Sequence, residues 1–228
     1  MKGIIKMNIL KNVLVIFIIG ISMVSCAENK SSNKVDNTNV NNVCISSSTD
    51  DTPGAFGNNR SLALEEMRSL SLMPNIDEIV IIVNDYGIPR SQIELARINN
   101  KYTSSNPESE KDIIANAIRG KVIASEADKL QIKPEQKYID EYINFVKDML
   151  HNDMDGGMEI KDHINALGVT EEEYLKQQAD NIYFVYQNEE FRKYIEAKNI
   201  DYDKYVDDLV GEADIQFNDK DIERIYMG

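Results

Sequence analysis

The chain has 228 residues, 42% of them hydrophobic and 28% charged, and a formal net charge of −14. That is enough apolar material for one ordinary core and too much charge for a body embedded in a bilayer. So acidic a surface repels phosphate backbones and anionic headgroups, which argues against nucleic acid as a partner. With no tryptophan and five prolines, the expected class is mainly α, a helix-rich soluble body.

Met1 to Ser25 reads as a processing segment. Lys2, Lys6 and Lys11 form a basic front, and Val13 to Ile21 (VLVIFIIGI) is an apolar run too short for a comfortable membrane span. The run ends in Met23-Val24-Ser25-Cys26, which is similar to the bacterial lipobox, with Met23 where leucine is usual. The resemblance implies that the Cys26 thiol receives a diacylglyceryl group and becomes the mature N-terminus. Each buried methylene contributes about 0.8 kcal/mol, so two acyl chains hold far better than one. The expected location is the outer, extracytoplasmic face of a bacterial membrane, anchored without a span. Cys44 would then be the one remaining thiol, unable to form an internal disulfide and without a histidine nearby.

Residues 26–60 are rich in Ser, Asn, Asp and Thr. Such a composition buries too little apolar surface to offset chain entropy, so the segment reads as a disordered tether. From Ser61 the sequence SLALEEMRSLSLM becomes amphipathic, either a short helix that docks on the body or a frayed extension, with docking the favoured reading. The folded domain is expected to span 61–228.

Ile79-Val80-Ile81-Ile82-Val83 is a β-branched run too short for a typical helix, followed by turn chemistry in Asn84-Asp85-Tyr86-Gly87. Ser91 with Glu94 three residues on predicts a capping box and a helix start. The longest informative stretch runs from Glu110 to Leu150. Ile113, Ile114, Ala117, Ile118, Val122 and Ile123 recur at helical spacing, while Lys111, Arg119, Glu126 and Lys129 ride outside. The pattern breaks at Ile132-Lys133-Pro134, where Pro134 fits the first turn of a second helix bearing Ile139, Tyr142, Ile143, Val146, Met149 and Leu150 inward. The two form a helical hairpin.

HNDMDGGM (151–158) is a loop. Asp153 and Asp155 do not fit a calcium loop, which needs an acidic first position and a glutamate at the twelfth. Met149, Met154 and Met158 could form an adaptable apolar rim, but ordinary core and loop methionines are the favoured reading. A short helix ends at Gly168, and Thr170 with Glu173 opens the longest helix through another capping box. Within it, Ile182-Tyr183-Phe184-Val185-Tyr186 is apolar all round and should be covered on more than one side. Tyr202 to Val210 is a further helix. Ala213 to Phe217 alternates like a strand and is the expected partner of Ile79–Val83, and Asn218 is a candidate cap for a last turn.

Together these segments resemble the N-terminal chaperone domain of the SurA/PrsA type of extracytoplasmic folding factor. In AIRGKVIASEADKLQIKPEQKYIDEYI the matching residues are Val122, Glu126, Ala127, Lys129, Ile132 and Ile139-Asp140-Glu141, with Gln131 where that family usually has glycine. The family's opening pattern is matched by Val83, Asn84, Ile88, Ser91 and Glu94, and LGVTEEEYLKQQ is similar to a further family segment. The resemblance implies a mainly α SurA N-like domain with a two-stranded β element joining its first and last segments. It further implies a membrane-tethered chaperone or secretion accessory that holds unfolded exported polypeptides. Tyr138, Tyr142, Phe145, Met149, Tyr183 and Phe184 are the candidate client-binding residues.

Many relatives carry an inserted prolyl isomerase before the closing strand. Only Glu189 to Glu212 is available here, and no histidine follows His163. No catalysis, cofactor or metal is expected. Neither His151 nor His163 has local metal-ligand partners, and Glu171, Glu172, Glu173, Glu189 and Glu190 look like solvated helix faces. A rival reading is a dedicated partner-binding envelope lipoprotein without general chaperone activity.

Overall fold

The structure, a computed structural model, describes residues 57–152 and 154–228. The leader, Cys26, Cys44, the tether up to residue 56 and Asp153 lie outside the described residues. Eight α-helices and a three-stranded antiparallel sheet make up the body among the described residues, in keeping with a mainly α class carrying a small β element.

A single 3-10 turn at Gly57–Asn59 leads into α1 (Arg60–Ser71). This helix docks on the body and is not a frayed extension. Ala63, Leu64, Met67 and Leu70 are buried with Ile98 and Ala166, which belong to two later helices. Arg60 fixes its start through a 2.6 Å ion pair with Asp162.

β1 (Ile79–Val83) and β2 (Tyr86–Pro89) form a hairpin, and β1 also pairs with β3 (Ile215–Phe217) to give the order β2-β1-β3. The pairing of first and last segments has Ile81 opposite Phe217 and Val83 opposite Ile215. β2 corrects the expectation of two strands. Asn84 and Asp85 alone make the turn, at φ of 47° and 71°, the left-handed pair that a two-residue hairpin of matching twist needs. Glycine and proline made Tyr86–Pro89 a poor strand candidate. The positions suit them nonetheless. Pro89 ends an edge strand, and the Ile79 side chain stands 2.9 Å from where a β-carbon on Gly87 would be.

α2 (Arg90–Thr103) starts directly after β2, without the expected capping box, since no side chain caps it. Its first donors are already satisfied. The Arg90 amide donates to the Glu78 carbonyl and the Ser91 amide to that of Ile76, at 2.9 and 2.8 Å. Glu94 instead accepts from Arg97 at 2.5 Å.

α3 (Glu110–Lys129) is capped by the Ser109 side chain, which accepts from the Asp112 amide. It stops where expected. The Ile132 amide donates to Ala127 and that of Gln131 to Asp128, the crossed pair of bonds of a Schellman ending. Gln131 takes φ of 57° to allow it, in the place where the resembled family has glycine. α4 (Gln136–His151) follows the cap position Glu135, so Pro134 lies ahead of the helix and not in its first turn.

α5 (Gly157–Leu167) leads to α6 (Glu171–Glu196), which opens with the full capping box. The Glu173 amide donates to Thr170 Oγ1 at 3.2 Å and the Thr170 amide to Glu173 Oε2 at 2.8 Å. After α7 (Tyr202–Glu212) and β3, α8 (Lys220–Met227) closes the body. Its cap is Asp219, which accepts from the amides of Asp221 and Ile222. Asn218 does other work. Its side-chain amide donates to the Ile79 carbonyl and its backbone amide to that of Val80, prolonging the sheet.

Two buried clusters lie along α6. One joins α4, α5 and α6 around Tyr142, Ile160 and Ile182. A second joins α3, α6 and α7 around Phe191, Ile195 and Val206. The sheet is covered by Ile114 and Ile118 of α3 and Ile222 of α8.

Candidate functional site

α2 makes its main contacts with α1, α3 and β2, whereas α6 leans on α3, α4 and α7. The facing sides of α2 and α6 therefore stay apart, and α3 closes the gap from below. The result is a crevice with two connected parts. The more enclosed one has about 200 Å³ and an apolar floor of Ala96, Ile113, Ala117 and Phe184. The wider one, about 560 Å³, continues past Leu95 to Leu70, Ile76 and Val169. Gln92, Ala96 and Asn181 line both parts, from opposite walls.

Four polar side chains lining the enclosed part make no hydrogen bond or ion pair with a described residue: Gln92, Lys121, Asp180 and Asn181. Lys121 is half-buried, and desolvation pushes its ammonium below the ordinary lysine pKa. Glu108 and Asp180 stand at the edge of the same space. Glu108 is engaged, accepting from Asn116 at 3.1 Å through its carboxylate and from Asn100 at 2.9 Å through its carbonyl.

The six candidate residues do not gather in one place. Phe184 lines the crevice. Tyr142 and Met149 are 1% and 2% exposed in the core of α4, α5 and α6, which removes them from any surface a client could reach. Burial likewise raises the Tyr142 hydroxyl above its ordinary pKa. Phe145 and Tyr183 are half-buried against the same core, and Tyr138 is half-buried at its margin beside Tyr186. Tyr138 stacks on Tyr186 with ring centroids 5.6 Å apart. The run Tyr183 to Tyr186 is thus covered only in part, with Ile182 alone fully enclosed.

The pattern along α3 carried a signal for Lys121. It stands three residues after Ile118 and four after Ala117, within the apolar stripe, where a lysine is out of place. Gln92 and Asn181 carried none, since their meeting depends on how α2 and α6 are set.

A second polar network ties the hairpin to both long helices. The Tyr86 hydroxyl donates to Asp128 Oδ2, and Gln187 Nε2 donates to Asp128 Oδ1 at 2.7 Å and to the Ile132 carbonyl at 3.1 Å. The bond to Asp128 raises the Tyr86 pKa to about 12. Gln187 is 2% exposed, so this network is satisfied structure.

Glu171 pairs with His151 at 3.0 Å, and Glu189 and Glu190 both pair with Lys193. Their side chains are substantially exposed in these pairs. Met158 is 74% and Met154 41% exposed. Among the described residues no group of three or more His, Cys, Asp or Glu side chains is placed to hold a metal ion, and no helix is long and apolar enough to cross a membrane. A scan against protein-family models, a search of curated proteins and a search of solved structures each returned no match.

Proposed function

We propose that the chain is a membrane-tethered extracytoplasmic chaperone or secretion accessory of the SurA/PrsA type, which holds unfolded exported polypeptides without catalysis. The observation that carries this reading is the crevice between α2 and α6. Its floor is apolar and its walls bear polar groups with no partner, the surface on which a chain without fixed structure can rest weakly. Two features agree with the resemblance in the sequence. Gln131 takes a left-handed conformation where relatives have glycine, and the first strand pairs with the last. Between α6 and β3 the chain forms α7 alone.

The mechanism is passive. Partly covered apolar side chains, Phe184 foremost, shield client segments from one another. Lipid on Cys26 and the tether would keep the crevice near the membrane and raise its local concentration there. The full chain in detergent should suppress the aggregation of several unrelated unfolded proteins at near-stoichiometric ratios, as followed by light scattering. No suppression, or suppression of one protein only, would favour a dedicated partner-binding lipoprotein. Turnover of a proline-containing peptide above background would refute the noncatalytic part.

A further inference from the structure

Lys121 poses a physical question that the holding reading leaves open. A half-buried ammonium without an ion pair is unfavourable in the folded chain, yet it faces a crevice that has space beside it. We infer that the crevice selects extended peptide segments carrying one acidic side chain, which seats its carboxylate on Lys121. This deepens the reading above and rests on it.

Three features fit that occupant. Gln92 and Asn181 approach from opposite walls, each with two N–H donors and one carbonyl acceptor. That is the complement of an extended backbone, whose amides and carbonyls alternate along its edge. The space is also long. It continues from the enclosed part beyond Ala96 to the apolar Leu70, Ile76 and Val169, so a chain can pass through where a compact metabolite would fill only one end. Charge then sets the register. Glu108 and Asp180 beside the enclosed part, on a chain of net charge −14, repel acidic groups everywhere except at Lys121. The favoured segment therefore has basic or apolar residues on either side of its single acid.

The probe is a fluorescein-labelled peptide with one central glutamate flanked by leucine and lysine, compared with the same peptide bearing glutamine. Anisotropy is read with the full chain in detergent and with its Lys121→Met variant. Methionine keeps the bulk and apolar stem of lysine, and Lys121→Gln serves as a second variant should the first fail to fold. A partly exposed charge-assisted contact gives a preference of about three- to tenfold. The glutamate peptide should bind tighter by that factor, and the preference should vanish in both variants. Equal affinity for the two peptides, a preference that survives Lys121→Met, or binding of neither peptide overturns the inference. So does displacement by an equimolar amount of glutarate, which would assign the site to small free carboxylates. The aggregation assay separates this from the holding function. Lys121→Met that keeps general suppression while losing the glutamate preference sustains both, and suppression with no preference in the parent chain sinks the inference alone.

Discussion

His163 shows how one buried side chain ties stability to acidity. It is 6% exposed on α5, the helix that packs against α1, and its pKa is lowered from 6.5 to about 4. Burial is the main cause, the Arg60 guanidinium adds to it, and Asp162 opposes both. The unfolded chain therefore binds a proton at a pH where the folded chain does not, so stability falls as pH drops from about 6.5 towards 4. A difference of about 2.5 units corresponds to roughly 3 kcal/mol over that window. Carboxylates held below their ordinary range, such as Glu66 and Asp219, lose stability in overlapping acid, so the readout is a comparison. Urea midpoints of the parent chain should fall more steeply between pH 6.5 and 4 than those of His163→Leu. Parallel curves would show that the imidazole takes up its proton alike in the folded and the unfolded chain. Lys121 works in the opposite range of pH by the same logic. Its lowered pKa makes the folded chain more stable as pH rises towards the lysine range.

At the scale of elements, the junction between α3 and α4 invites improvement. Gln131 holds φ of 57°, a conformation that costs a residue with a β-carbon about 1 kcal/mol and costs glycine nothing. Gln131→Gly should raise stability by about 0.5–1 kcal/mol and the melting temperature by roughly 2–4 °C. An unchanged or lowered melting temperature in a calorimeter would mean that the glutamine side chain contributes more than its backbone costs. The helices themselves were legible in the sequence, because apolar spacing along Ile113 to Ile123 and Ile139 to Leu150 is a local signal. So was the capping box at Thr170, whose partner Glu173 is three residues away. What failed was whatever depended on distant chain. Ser91 lacks its box because Ile76 and Glu78 had already supplied acceptors, and β2 is a strand because β1 offers it an edge. The site divides in the same way. Phe184 was found by its place in an apolar run, while Tyr142 and Met149 shared that character and went into the core, since periodicity marks an inner face without saying what covers it.

The molecule as a whole is held shut by residues from its far end. Ile222 of α8 is 3% exposed and packs into the cluster of Val80, Ile114 and Ile118, while Arg90 at the start of α2 pairs with the α8 cap Asp219 at 2.8 Å. Truncating a buried isoleucine costs about 2–5 kcal/mol where the cavity cannot collapse. Ile222→Ala should destabilise the entire body by about that much in urea unfolding, with secondary structure lost in one transition. A loss below 1 kcal/mol, or a separate early transition, would show α8 to be an appendage. The sheet carries a further consequence for biosynthesis. β1 occupies the middle of the sheet, yet one of its two neighbours is β3, which is synthesised only after β2 and six intervening helices. Until Ile215 to Phe217 leave the ribosome, Ile81 and Val83 lack their antiparallel partner. A contact across so long a stretch of chain forms slowly, and an open sheet edge is a hazard meanwhile. Maturation is thereby deferred until β3 has emerged, so a nascent chain presents its own unfinished edge to whatever escorts it.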